Sequence, residues 1–456
     1  MGFAPPRYLF RQFRSRHAHP SNIAKGEPIM TMQELRPDTW TGRVAALLWI
    51  VLALCPFGNT YSVLTHEEII DLEWNDQIQP MLLARFPGAT DDDLRQAHSY
   101  AYGGSVVQDM GYYPFGSKYF SDLTHYVRTG DFVLALIEQS SDLNDYAFAL
   151  GALAHYISDS TGHPAINHVV ALSFPKLQRK YGEQVTYEDD PKAHIRTEFG
   201  FDMVQVAKNR YTSDRYHDFI GFNIAKPLLE RAFEQTYGLP LQQVMRNEDL
   251  SIGTFRRAIS KVIPEMTRVA LLSRHKELVR DTPNFDKRKF LYHLSRADYQ
   301  KEWGTGYRRP GAGTRILAFF LKMVPKVGPF KAVAFEIPTT QTEDLYIKSM
   351  DKTLDAYTEL LRQQKADRLQ LVNLDIDTGR PAHTGEYRLA DENYARLLDD
   401  LSQQNFTGIS TDLRQNILSF YGGTNAPIAT RRDKKAWQKT EAELSNLKAL
   451  AAATGQ

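Results

Sequence analysis

The chain has 456 residues, 42% of them apolar and 24% charged, with a formal net charge of +1. That length can bury a sizeable core, and the near-zero charge excludes a field that would gather nucleic acid. A single cysteine excludes an internal disulfide framework and a thiolate metal cluster, so any metal must be held by imidazole and carboxylate.

Residues 1–62 read as a basic leader and signal sequence. Arg7, Arg11, Arg14, Arg16, Lys25, Arg36 and Arg43 precede the apolar run AALLWIVLAL (45–54), and CPFGNTYS follows. A basic region, a short apolar run and small polar residues form the pattern of an export signal. The run falls short of the ~20 residues that span a bilayer. Thr60 and Ser62 suit cleavage near Val63, which predicts a secreted or periplasmic protein. Retention as a membrane anchor through 45–54 is the alternative.

From 63 to about 300 the apolar residues recur at helical spacing, and no run alternates as a strand would. THEEIIDLEWNDQIQPMLLARF reads as a helix with Thr65 as N-cap and Glu68 three residues on. DDDLRQAHSYAYGGSVVQDMG starts with acids that suit a helix N-terminus and ends on Gly111. FSDLTHYVRTGDFVLALIEQSSDLNDYAFALGALAHYISDS reads as two or three helices with Gly130 as a stop. YEDDPKAHIRTEFGFDMVQVAKNRY and SIGTFRRAISKVIPEMTRVALL continue the pattern. The fold class is all-α, a multi-helix bundle.

Residues 301–456 read as a mainly helical C-terminal extension. Its first part, around 314–335, is apolar with lysine flanks, and suits either an interfacial membrane element or a loop with a core helix. KSMDKTLDAYTELLRQQKADRLQL is amphipathic, the stretch from TGRPAHTGEYRL onward is a loop leading into a helix, and a polar helix closes the chain. None of these segments concentrates chemistry.

The 13 histidines are unevenly used. In ALGALAHYISDSTGHPAINH, His155, Asp159 and His163 are spaced four and four, which places them on one face of a helix. Gly162 and Pro164 predict that the helix ends there, leaving His163 at its terminus. These polar groups emerge from an apolar segment, where they are costly to bury unless paired or metallated. His194 and Glu198 repeat the four-residue spacing in HIRTEFGFD, and such His and carboxylate sets hold catalytic zinc. His66, Asp109 and His125 add ligands from separate helices, as a multinuclear site inside a bundle requires.

HYISDSTGHPA and HIRTE, together with LTHEEI and the segments around Asp109 and His125, resemble the bacterial zinc-dependent phospholipase C family. The resemblance covers about residues 63–200. It implies a helical fold shared with fungal single-strand nucleases, a metal site in a cleft, and about two to three zinc ions per chain. Carried over, Asp109, His125, His155 and Asp159 hold the first zinc, and His163, His194 and Glu198 the second. His66 and a bridging Asp159 hold the third, with the mature N-terminal residue. Family members usually space the Asp and the next His by six, which makes His168 the rival of His163. No Trp stands just before His66, whereas well-known members begin with one.

The implied activity is hydrolysis of phosphodiester bonds in phospholipids by water activated at zinc, with transient contact at a membrane surface. Asp109 is the candidate general base. Tyr112, Tyr113 and Phe115, with Tyr119 close by, suit either a substrate pocket or the core. A nuclease or nucleotidase on the same fold is the first alternative. A phosphohydrolase built on His217 and Asp218 is a second, and a non-catalytic, metal-containing surface-binding protein is a third.

Overall fold

The computed structural model describes residues 62–207, 222–259, 335–423 and 433–453, with the single residues 263 and 427. The leader with its apolar run at 45–54, the His217–Asp218 pair and the lysine-flanked stretch before Phe335 lie outside the described residues. Among the described residues the fold is all-α apart from one two-residue hairpin, and no helix is long and apolar enough to cross a membrane.

The helix boundaries follow local chemistry. α1 (Val63–Glu73) begins after Ser62, not at Thr65. Thr65 lies inside the helix, where its hydroxyl donates to Asp202 Oδ1 at 2.8 Å, a tertiary partner that replaces a capping role. One π-helical turn, Trp74–Ile78, leads into α2 (Gln79–Arg85), whose first turn carries Pro80. α3 (Asp91–Ser105) starts with a full capping box between Thr90 and Asp93. A 3-10 segment, Val107–Tyr112, carries Asp109 towards α4 (Lys118–Tyr126). The stop expected at Gly130 falls two residues earlier, because Arg128 adopts a left-handed conformation (φ 51) ahead of α5 (Thr129–Glu138). Arg128 is held there by Asp131 Oδ2 at 2.6 Å and the Thr236 carbonyl at 2.7 Å.

α6 (Leu143–Ser173) is the central element, and it does not end at Gly162–Pro164. Pro164 removes one N–H, so the Ser160 carbonyl loses its helical partner while the helix continues. That carbonyl faces Gly379, where an added Cβ would come within 2.3 Å. Glycines also let α3 and α6 approach closely: a Cβ on Gly104 would lie 1.9 Å from the Phe148 carbonyl, and one on Gly151 would lie 2.1 Å from the Ala101 carbonyl.

α7 (Pro175–Tyr181) and α8 (Pro191–Ala207) follow, then α9 (Lys226–Tyr237), α10 (Leu241–Val244) and α11 (Glu248–Arg257). After residue 335 come α12 (Thr340–Lys365), the antiparallel hairpin β1 (Leu374–Asp375) and β2 (Arg380–Pro381), then α13 (Arg388–Gln403), α14 (Thr411–Phe420) and α15 (Lys434–Ala453). These later elements share one core with the earlier helices: Phe148, Leu153, Tyr237, Tyr357, Leu397 and Leu447 belong to the same buried cluster. Polar contacts tie them down as well. Tyr357 donates to the Leu150 carbonyl at 2.8 Å, Tyr156 to the Val372 carbonyl at 2.8 Å, and the Ile376 N–H to the His125 carbonyl at 3.2 Å.

Candidate metal centre

α6 presents His155, Asp159 and His163 at successive turns, all buried, with α1, the 3-10 segment, α4 and α8 supplying the rest. Two triples of ligand atoms converge: His66, His155 and Asp159 form one, and Asp109, His125 and His155 the other. His155 is common to both.

The separations have the scale of a metal site. His155 Nε2 lies 3.1 Å from Asp159 Oδ2, and His66 Nε2 lies 3.4 Å from Asp159 Oδ1. His125 Nε2 lies 3.4 Å from Asp109 Oδ1 and 3.6 Å from Asp159 Oδ2. Two ligands on a tetrahedral zinc, each at 2.0–2.2 Å, stand roughly 3.3 Å apart. Both oxygens of Asp109 and the Nε2 atoms of His125 and His155 are buried without a hydrogen bond. Such atoms are costly in a protein interior unless something converges on them, and nitrogen with carboxylate oxygen is a donor set that zinc accepts. The residues fit the ion.

The opposite ring nitrogens are anchored. His155 Nδ1 donates to the Ser105 carbonyl at 2.9 Å and His125 Nδ1 to the Ser121 carbonyl at 2.7 Å. His194 Nε2 donates to the Val185 carbonyl at 2.6 Å. Ser158 gives its only hydroxyl proton to the His155 carbonyl, so it accepts from His66 Nδ1 at 2.9 Å. A carbonyl can only accept, so each anchor fixes the tautomer and turns a lone pair on the other nitrogen inwards.

The remaining candidates are arranged less tightly. His194 Nδ1 lies 3.3 Å from Glu198 Oε1, and the His163 and His194 rings are 6.4 Å apart between centroids. His163, His194 and Glu198 do not close into a triple like the other two. His163 is buried, whereas His168 leans outwards with Nδ1 on the Glu183 carbonyl at 3.1 Å. Of the three candidate aromatics, Tyr112 stands against His125 with ring centroids 5.6 Å apart. Tyr113 packs in the core against Phe255, and Phe115 is 68% exposed.

Electrostatics express the crowding of like groups. Burial and then His155 hold the His66 imidazole well below its usual range. Burial also lowers His125, but Asp109, Asp159 and Asp377 outweigh it and push the group up to about 9. Burial would raise Asp159, yet His155 and His163 keep its carboxyl well below the usual range. Burial raises both Asp109 and Glu198. Burial drives His194 down to about 4. Neighbouring groups are thus driven in opposite directions, a conflict that a divalent cation relieves.

Residues 65–247 match the family model for zinc dependent phospholipase C. That part of the chain belongs to this family. Its match carries zinc-dependent hydrolysis of phospholipid as the general activity, and it spans His66, Asp109, His125, His155, Asp159, His163, His194 and Glu198. No curated protein and no solved structure matches the chain.

One residue at the centre lies beyond the matched segment. Asp377 is fully buried on the hairpin, with Oδ1 3.1 Å from His163 Nδ1. Sequence reasoning missed it, because the two Asp of LDIDTGRP, two residues apart, carry no helical spacing. Its clue was weak: Gly379, whose positive φ (68) is needed to turn the hairpin against α6.

Proposed function

We propose that the chain is a zinc-dependent phospholipase C that hydrolyses the phosphodiester bond of a phospholipid. The observation that carries this reading is the pair of ligand triples sharing His155 inside the matched segment. In this reading about two to three zinc ions bind per chain. Asp109, His125, His155 and Asp159 hold the first, His163, His194 and Glu198 the second, and His66 with Asp159 the third. Bound zinc lowers the pKa of water and neutralises charge developing on phosphoryl oxygens.

The chain's own residues then have distinct tasks. Asp109, neither of whose oxygens makes a hydrogen bond, would hold the metal through one of them and take the proton of the attacking water on the other. Ser105, Ser121, Ser158 and Val185 hold the histidine rings through their second nitrogens. Tyr112, whose ring stands 5.6 Å from that of His125, is the candidate for a substrate contact. Export to the periplasm or beyond, with transient contact at a membrane surface, completes the proposal, and rests on the basic leader and the run at 45–54.

The test is release of phosphocholine from phosphatidylcholine vesicles, beside nucleotide release from single-stranded DNA. Zinc-dependent phosphocholine release with little DNA cleavage is the expected result. The reverse preference would assign a nuclease, and neither activity in zinc-loaded protein would leave a non-catalytic metal protein.

A further inference from the structure

Four of the five cage histidines have one ring nitrogen anchored by a backbone carbonyl or a serine hydroxyl. His163 has no such anchor: neither Nδ1 nor Nε2 makes a hydrogen bond, although the ring is completely buried. The polar atom at its Nδ1 is Asp377 Oδ1, 3.1 Å away in an ion-pair contact that is not aligned as a hydrogen bond.

Asp377 is itself firmly placed. Its Oδ2 accepts from Tyr126 at 2.9 Å and from Tyr387 at 2.5 Å, and its carbonyl accepts from Asn167 on α6 at 3.0 Å. Its N–H donates to Asp375 Oδ1 at 3.0 Å, while Thr378 donates to Asp375 Oδ2 at 2.8 Å, which folds the hairpin tip. One oxygen of Asp377 is therefore fixed by two phenols and the other is left facing His163.

We propose that Asp377 is the positioning residue for the second zinc: it accepts the Nδ1 proton of His163 and so presents Nε2 of that ring to the ion. This rests on the zinc reading of His163 above. Partner counting decides between this role and direct ligation. If Asp377 Oδ1 and His163 Nδ1 both bound the ion, the proton would sit on Nε2, buried with no acceptor. With the proton on Nδ1, both nitrogens are satisfied once the metal is present. The hairpin of the C-terminal segment thus sets a ligand that belongs to the matched segment.

The experiment uses the full chain and reads zinc binding by competition with a chromogenic chelator, in the wild type, Asp377→Asn and His163→Ala. In the expected result His163→Ala loses one zinc, and Asp377→Asn weakens that same zinc ~10–100-fold, the usual effect of removing an outer partner of a ligand, while the remaining zinc stays as in the wild type. If His163→Ala loses the zinc but Asp377→Asn binds it like the wild type, the proposal is overturned and His163 remains a ligand. If His163→Ala binds zinc like the wild type, both the ligand reading and the proposal fail. Should Asp377→Asn not fold, long-range proton–nitrogen spectra of zinc-loaded wild-type protein decide the matter. A proton on His163 Nδ1 supports the proposal, and a proton on Nε2 overturns it.

Discussion

His155 Nε2 lies 3.1 Å from Asp159 Oδ2, one turn along α6, and His155 belongs to both triples of ligands. This pair is where the two halves of the cage meet. Replacing His155 should therefore disturb more metal than replacing a ligand at the edge.

His155→Ala and His66→Ala should differ in the zinc they retain. His66 belongs to one triple only, so its loss should remove one zinc and leave the other. His155→Ala should remove the first zinc, weaken the third through the Asp159 that the two share, and lower phosphodiester hydrolysis by at least ~100-fold, the equivalent of about 3 kcal/mol of lost charge stabilisation. Metal analysis with initial rates checks this. Equal zinc content in the two variants would contradict the sharing.

Chelation should destabilise the protein. Zinc binds the folded cage and not the unfolded chain, and ligand at 100 times its Kd stabilises by about 2.7 kcal/mol. Removing zinc also leaves the buried atoms of Asp109, His125 and His155 with nothing converging on them. The Tm should fall on treatment with chelator and recover with zinc but not with magnesium, which prefers an all-oxygen octahedral shell. Differential scanning calorimetry reads the shift.

Gly379→Ala should damage both stability and metal binding. The residue has φ 68, and a Cβ would come within 2.3 Å of the Ser160 carbonyl. Left-handed strain and overpacking together should cost about 2–4 kcal/mol. Because Asp377 sits two residues earlier in the same hairpin, the zinc at His163 should weaken as well. Urea denaturation and chelator competition measure the two effects.

Glu73 gives a pH signature away from the metal. Burial pushes its carboxyl up to about 7, although Thr358 donates to Oε1 at 3.1 Å. Between the ordinary glutamate range and pH 7 the folded state holds a proton that the unfolded chain has released. Stability therefore falls as pH rises through that window, and the penalty is complete above it. Glu73→Gln should gain roughly 1–2 kcal/mol over the wild type at pH 8, a figure reduced for partial exposure, and little at pH 4.5. Denaturation midpoints at the two pH values test the sign.

Much of this was legible in the sequence. The four-residue spacing of His155, Asp159 and His163 is a local property of one helix, and the all-α class follows from the same period. The misreadings have tertiary causes. Pro164 suggested a helix end, but the freed Ser160 carbonyl is covered by Gly379, more than two hundred positions later. Thr65 suggested a cap, but Asp202 takes its hydroxyl. Gly130 suggested a stop, but Arg128 makes the break with partners on α5 and α9. Asp377 was invisible because it reaches His163 through the fold and not through any sequence period.

The claim beneath all of this is that the buried imidazoles and carboxylates around α6 exist to hold zinc. Elemental analysis of the full-length protein, purified without chelator, tests it most directly. The account predicts stoichiometric zinc, more than one ion per chain, that falls in His155→Ala. Wild-type protein that is folded, carries no zinc above background and takes up none on dialysis against it would contradict the account.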